Sequence, residues 1–172
     1  MVYMFLLLIL GGMVAVLVIN GLRSQAVVTS TVKNTGEMQN AASGIAYDVR
    51  YAKDVKVSTD GTLLRTKTWV GDPDAGAYTC RAWIYDAAKG ELRRTTDTAK
   101  VVAATASSSS SWTIAVSDVV VPTGTKAFVR DESAGTVKVF IDGDPDVWGH
   151  GTRIDTTVLQ RPQADEAGVT CW

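Results

Sequence analysis

Residues 1–22 read MVYMFLLLILGGMVAVLVINGL, and residues 23–53 read RSQAVVTSTVKNTGEMQNAASGIAYDVRYAK. The first segment holds no Asp, Glu, Lys, Arg or His, and as a helix it is long enough to cross ~30 Å of hydrocarbon. In the second segment Val28, Val32, Thr35, Met38, Ala42, Ile45, Val49 and Ala52 recur at spacings of three and four. Lys33, Asn34, Glu37, Gln39, Asn40, Asp48 and Arg50 take the remaining positions, as on a helix with one apolar stripe. One helix is therefore predicted from near Met1 to near Lys53, apolar all round over residues 1–25 and amphipathic over 26–53. Gly11, Gly12 and Gly21 each weaken it by about 1 kcal/mol relative to Ala and let another helix come close. Local unwinding is expected around Gly21.

Beyond this helix the period changes to two. Val55 and Val57, then Leu63, Leu64, Thr66 and Thr68, flank Thr59-Asp60-Gly61, a hairpin turn. A second hairpin joins Tyr78–Tyr85 to Glu91–Thr95 through a polar connection that ends in Gly90. Its alternation puts Cys80, Ala82 and Ile84 on one face and Arg81, Trp83 and Tyr85 on the other. Residues 103–111, rich in Ala and Ser, read as a flexible surface connection. Four more strands are predicted at Trp112–Val121, Lys126–Arg130, Thr136–Ile141 and Thr152–Leu159. The expected fold class is α+β: a long N-terminal helix packed on a mainly antiparallel sheet that forms a β-rich head over residues 54–172.

A chain of 172 residues accommodates the apolar segment and one head domain, but not two full globular domains. The net charge is -1, with Lys and Arg scattered along the chain, so nothing points to nucleic acid as the main partner. The first basic residue, Arg23, follows the apolar run, which by the positive-inside rule would put the head in the cytoplasm. The cysteines point the other way. Cys80 and Cys171 are far apart, and Cys171 stands next to the last residue, which suits a bridge holding down the chain end in an oxidising compartment. Two unpaired buried thiols are the alternative. The charge and cysteine signals agree if a short basic leader once preceded Met1 and has been removed; the basic region and the small-residue cleavage site of an ordinary secretory signal are absent from the printed sequence.

An apolar helix continuing into an amphipathic one, followed by a β-head with a late cysteine, resembles the type IV pilin superfamily, which comprises major pilins, minor pilins and type II secretion pseudopilins. Local patterns similar to the larger minor pilins and pseudopilins run from Gln39 to Tyr51, from Cys80-Arg81-Ala82-Trp83 through Gly90-Glu91-Leu92-Arg93-Arg94, at Ala127-Phe128, and from Thr156-Thr157-Val158 to Arg161-Pro162. The resemblance implies a subunit held in the cell membrane by its helix and then moved into an extracellular filament on the cell surface. It also implies a filament core of packed N-terminal helices, formed here by Met1, Phe5, Leu8, Met13, Leu17 and Gly21. Most bacterial members carry Glu at mature position five; with Met1 as the mature terminus that position is Phe5, and tip-located minor pseudopilins and archaeal-type pilins are similar in lacking the carboxylate. The implied partners are other copies or related pilin subunits, and the membrane before assembly.

Few residues suggest chemistry. A Ser/His/Asp or Cys/His arrangement needs a histidine, and the single one, His150, sits in Trp148-Gly149-His150-Gly151, where an exposed turn is the expected reading. Paired carboxylates, Gly-rich phosphate loops and zinc spacings are missing from the sequence, so no enzyme and no catalytic residue are expected. Asp142, Asp144 and Asp146, at alternate positions of a Gly- and Pro-rich turn, are the one candidate metal site, with Ca²⁺ as its ion; an acidic hairpin tip explains the same residues. The five tryptophans, Trp69, Trp83, Trp112, Trp148 and Trp172, have no basic stretch beside them and are expected in the core and at subunit interfaces. The expected function is structural. The rival is a membrane-tethered monomeric β-domain that binds a ligand outside the cell, for which the amphipathic continuation of the helix would serve no purpose.

Overall fold

The computed structural model describes residues 2–69, 78–105, 108–143, 152–161 and 170–172. Helix α1 runs unbroken over Val2–Arg50. Proline is absent until Pro73. The expected unwinding at Gly21 does not occur, because a glycine costs a helix only about 1 kcal/mol and the backbone ladder continues through it. Met38, Ala41, Ile45 and Val49 are buried at the end of this helix, spaced so that they share one face. The stripe predicted to start at Val28 starts lower: Val28 is 58% and Val32 66% exposed, and Ala42 is only partly buried beside the fully buried Ala41.

Among the described residues, two antiparallel sheets make up most of the rest. The first has five strands in the order β1-β2-β3-β4-β5, with β1 at Ala52–Val57, β2 at Leu63–Trp69, β3 at Tyr78–Asp86, β4 at Glu91–Thr95 and β5 at Thr113–Val116. In the second, β8 (Thr136–Gly143) is central, with β9 (Arg153–Leu159) on one side and both β6 (Val119–Val120) and β7 (Phe128–Asp131) along the other. Helix α2, Thr98–Val102, is capped by the Asp97 side chain, which accepts from the Ala99 and Lys100 amides, and a 3₁₀ turn covers Ser108–Ser111 within the serine run.

The expected architecture of a long helix packed on one sheet is thereby corrected. Among the described residues the protein is mainly antiparallel β in two sheets, and only the last turns of α1, from Thr35 on, meet the head, with the Thr35 and Thr152 hydroxyls 3.1 Å apart and the buried stripe starting at Met38. The single strand predicted over Trp112–Val121 breaks into β5 and β6, which belong to different sheets. The break falls at Asp118, whose backbone is left-handed with φ 55°, a conformation that ends strand pairing. Directly after it, the Val119 amide donates to the Gly90 carbonyl and returns the chain to the first sheet's β3–β4 turn.

A second joint binds the sheets at the β1–β2 turn. Asp60 accepts from the Thr62 amide and hydroxyl, and Gly61 has φ +73°. A Cβ on Gly61 would stand 2.5 Å from the Lys126 side chain and 2.8 Å from the Phe128 carbonyl, so glycine is required for space as well as for conformation. The Phe128 amide donates to the Gly61 carbonyl at 2.9 Å. The main core lies between the sheets and α1, with Leu64, Trp83 and Leu92 from the first sheet and Phe128, Val139, Ile141 and Val158 from the second. A smaller core on the other face of the first sheet gathers Leu63, Cys80, Ala82, Ile84, Val101, Trp112 and Cys171. Strand β3 therefore buries both of its alternating faces.

Candidate functional site

The largest chemical anomaly of the molecule is the free length of α1. Ile9, Leu10, Met13, Val14, Val16, Leu17, Val18, Ile19 and Leu22 are all at least half exposed, Leu17 at 71%. The unbroken helix puts them there, and among the described residues nothing covers them. At Gly11, Gly12 and Gly21 an added Cβ would meet nothing within 4 Å, so along these positions another backbone has room to approach. Of the residues expected in a filament core, Met13, Leu17 and Gly21 lie on this exposed length; Met1 and the side chains of Phe5 and Leu8 lie outside the described residues. Among the described residues, no helix is long and apolar enough to cross a membrane.

Where α1 meets the head, one polar joint fixes its rotation. Asp48, 4% exposed, accepts from Arg81 Nη1 and from Trp83 Nε1, both at 2.8 Å. The Asp48 carbonyl accepts from the Thr68 hydroxyl at 3.1 Å. Burial pushes the Asp48 carboxyl above the usual carboxylate range, against the opposing pull of the Trp83 and Arg81 hydrogen bonds and the Arg81 and Arg94 charges. The Arg81 guanidinium also lies 5.8 Å from the Tyr47 ring centre. The helical pattern puts Asp48 on the polar face, and the structure corrects this. It follows Ile45 by three residues and so falls on the buried stripe; that spacing, together with Arg81 and Trp83 alternating on one face of a strand, is the signal in the sequence. With both oxygens held by donors, the carboxylate serves as a structural pin.

The two cysteines form the bridge Cys80–Cys171, which ties the chain end to β3. Closing 91 residues is worth roughly 4 to 5 kcal/mol in the chain-entropy model. Of the candidate calcium ligands, only Asp142 is described. It is taken by Arg153, whose Nε and Nη2 donate to its two oxygens at 2.7 and 3.1 Å. Asp144, Asp146, Trp148 and His150 lie outside the described residues, and among the described residues no three acidic, His or Cys side chains are grouped to hold a metal ion. Trp83 and Trp112 are buried, Trp172 is 38% exposed, and Trp69 packs edge-on against Tyr78 at 5.1 Å.

One further feature adjoins the joint. A cavity of about 220 Å³ opens between α1 and strands β4–β5, lined by Glu37, Asn40, Trp83, Arg94 and Ile114. Arg94 lies over the Trp83 ring at 5.9 Å.

No family model, curated protein or solved structure matches the chain.

Proposed function

We propose that this protein is a structural subunit of an extracellular, type IV pilus-like filament, assembled by packing the apolar lengths of α1 from many copies or from related subunits. The observation that carries this reading is the exposed apolar length of α1 described above. Monomeric soluble proteins rarely leave contiguous apolar patches beyond a few hundred Å² uncovered, and a helix apolar all round requires lipid or other helices about it. Before assembly the cell membrane covers this surface; in the filament, neighbouring helices do. Small residues at Gly11, Gly12 and Gly21 suit close helix–helix contact. The bridge Cys80–Cys171 suits an oxidising location outside the cytoplasm.

The pinned helix–head joint supports the same reading over that of a tethered monomer. A tether has no need of a fixed direction, whereas Arg81 and Trp83 hold the end of α1 to the head through both oxygens of Asp48. In a helical filament every head must leave the core at one angle. The test is electron microscopy of sheared surface material from the producing cells, labelled with antibody to the head. Label along filaments identifies a major subunit, and label at tips a minor one. Filament-free cells with the protein confined to the membrane would sink the proposal in favour of the ligand-binding tether.

A further inference from the structure

The exposed length of α1 bears one charge for which the described residues supply no partner. Arg23 is the only charged residue between Met1 and Val32, it is exposed, and the first acidic residue of the chain is Glu37. A cation among packed apolar helices loses its water and needs a carboxylate to replace it. Glu37 is available for this. Its partner within the chain is Lys33, 3.8 Å away and 71% exposed, a surface pair of the kind worth little. Arg94, across the cavity, is engaged with the Trp83 ring and with the charge of Asp48.

We infer that Arg23 of one copy pairs with Glu37 of a neighbouring parallel copy, its alkyl stem lying against the half-exposed Ile114 in the cavity between α1 and β4–β5. This rests on the filament reading and names the contact that sets its register. Arg23 and Glu37 stand about 21 Å apart along the helix axis at ~1.5 Å per residue, so the pairing fixes the axial offset between the two copies. The same offset brings Val14 and Val18 of one copy level with Val28 and Val32 of the other. All four are exposed within a single chain, and this register accounts for the two valines that the helical stripe contains and the head leaves bare.

The test is charge exchange. Arg23→Glu, Glu37→Arg and the double exchange are expressed in the producing cells, and sheared filament is quantified. Each single change is expected to lower the yield about tenfold or more, as for a desolvated ion pair, and the double exchange to restore most of it. Absence of filaments from the unaltered protein would overturn the filament reading itself. Filaments of normal yield from Glu37→Arg would overturn the pairing alone, and would leave Arg23 to a lipid phosphate. Since Arg23→Glu can act on membrane entry, a second measurement co-expresses Arg23→Cys and Glu37→Cys chains and treats the filaments with a short bis-maleimide, because two cysteines replacing an extended Arg and its Glu stand too far apart for a direct disulfide. The native cysteines are already paired. Cross-linked dimers are expected, and mixed filaments without them would overturn the pairing.

Discussion

The two ends of helix α1 share one backbone geometry and differ in what surrounds them. Near Ile45 the helix buries one face between two sheets, and its neighbours on that face are buried at Met38, Ala41 and Val49. Near Leu17 it buries nothing, although its residues are the more apolar of the two. Hydrophobic sequence therefore does not report burial in the monomer. It reports burial somewhere, and the contrast separates the part of the helix that belongs to the head from the part that belongs to an assembly.

The sharpest way to break this contrast is to exchange its consequences. Leu17→Glu is expected to abolish filaments while leaving the melting of the head unchanged, because Leu17 touches no part of the head. Ile45→Ala should do the reverse in kind, costing the head about 2 to 5 kcal/mol through lost packing and a residual cavity. Sheared-filament yield and thermal denaturation of the full chain in mild detergent read both. Normal filaments from Leu17→Glu would end the distinction.

The next effect in size concerns the joint between the two ends. Asp48→Ala leaves the Arg81 guanidinium and the Trp83 N–H without their shared acceptor, at a cost of about 3 kcal/mol. Its pH dependence has a defined sign. Burial raises the Asp48 carboxyl above its ordinary value, so the folded protein holds that proton more tightly than the unfolded chain. The stabilisation linked to this group is complete below the ordinary carboxylate range and is lost as pH rises through the raised value. Asp60 and Asp131 are shifted downward and contribute the opposite slope, so the measurement must be a difference. Urea unfolding of the unaltered chain and of Asp48→Asn is compared from acid to neutral pH. The unaltered chain should lose stability relative to the Asp48→Asn variant as pH rises, and parallel curves would show that Asp48 does not titrate in this window.

Much of this was legible in the sequence, for reasons particular residues make plain. The alternation of Tyr78–Tyr85 puts Cys80, Ala82 and Ile84 opposite Trp83, and the structure keeps them on opposite faces in two separate cores. Asp60-Gly61 marks a turn because its chemistry is local. What escaped was long-range. Val119 and Val120 continue the alternation of β5, and only the left-handed Asp118 shows that they pair with another sheet. Helix α2 is five residues long, too short for periodicity to register. Asp48 reads as a residue of the wetted face because acidic residues are almost never fully buried without a partner, and its partners lie on a strand more than thirty residues on. Val28 and Val32 have helical spacing, but spacing cannot say whose surface they meet.

The finest comparison uses two glycines of the same helix. Gly36 has open space where a Cβ would stand, whereas a Cβ on Gly44 would lie 3.0 Å and 3.1 Å from two atoms of the Trp83 ring. Alanine is a better helix former than glycine by about 1 kcal/mol, so Gly36→Ala should stabilise the head by up to about that amount. At Gly44 the same gain is offset, because Trp83 must give way by a few tenths of an ångström against its hydrogen bond to Asp48 and its packing in the main core. Gly44→Ala is therefore expected to be neutral or destabilising, and the difference between the two variants, read by urea unfolding, should be about 1 kcal/mol or more. Equal stabilisation by both would mean that Trp83 is free to shift, and with it the pin that directs the exposed half of the helix away from the head.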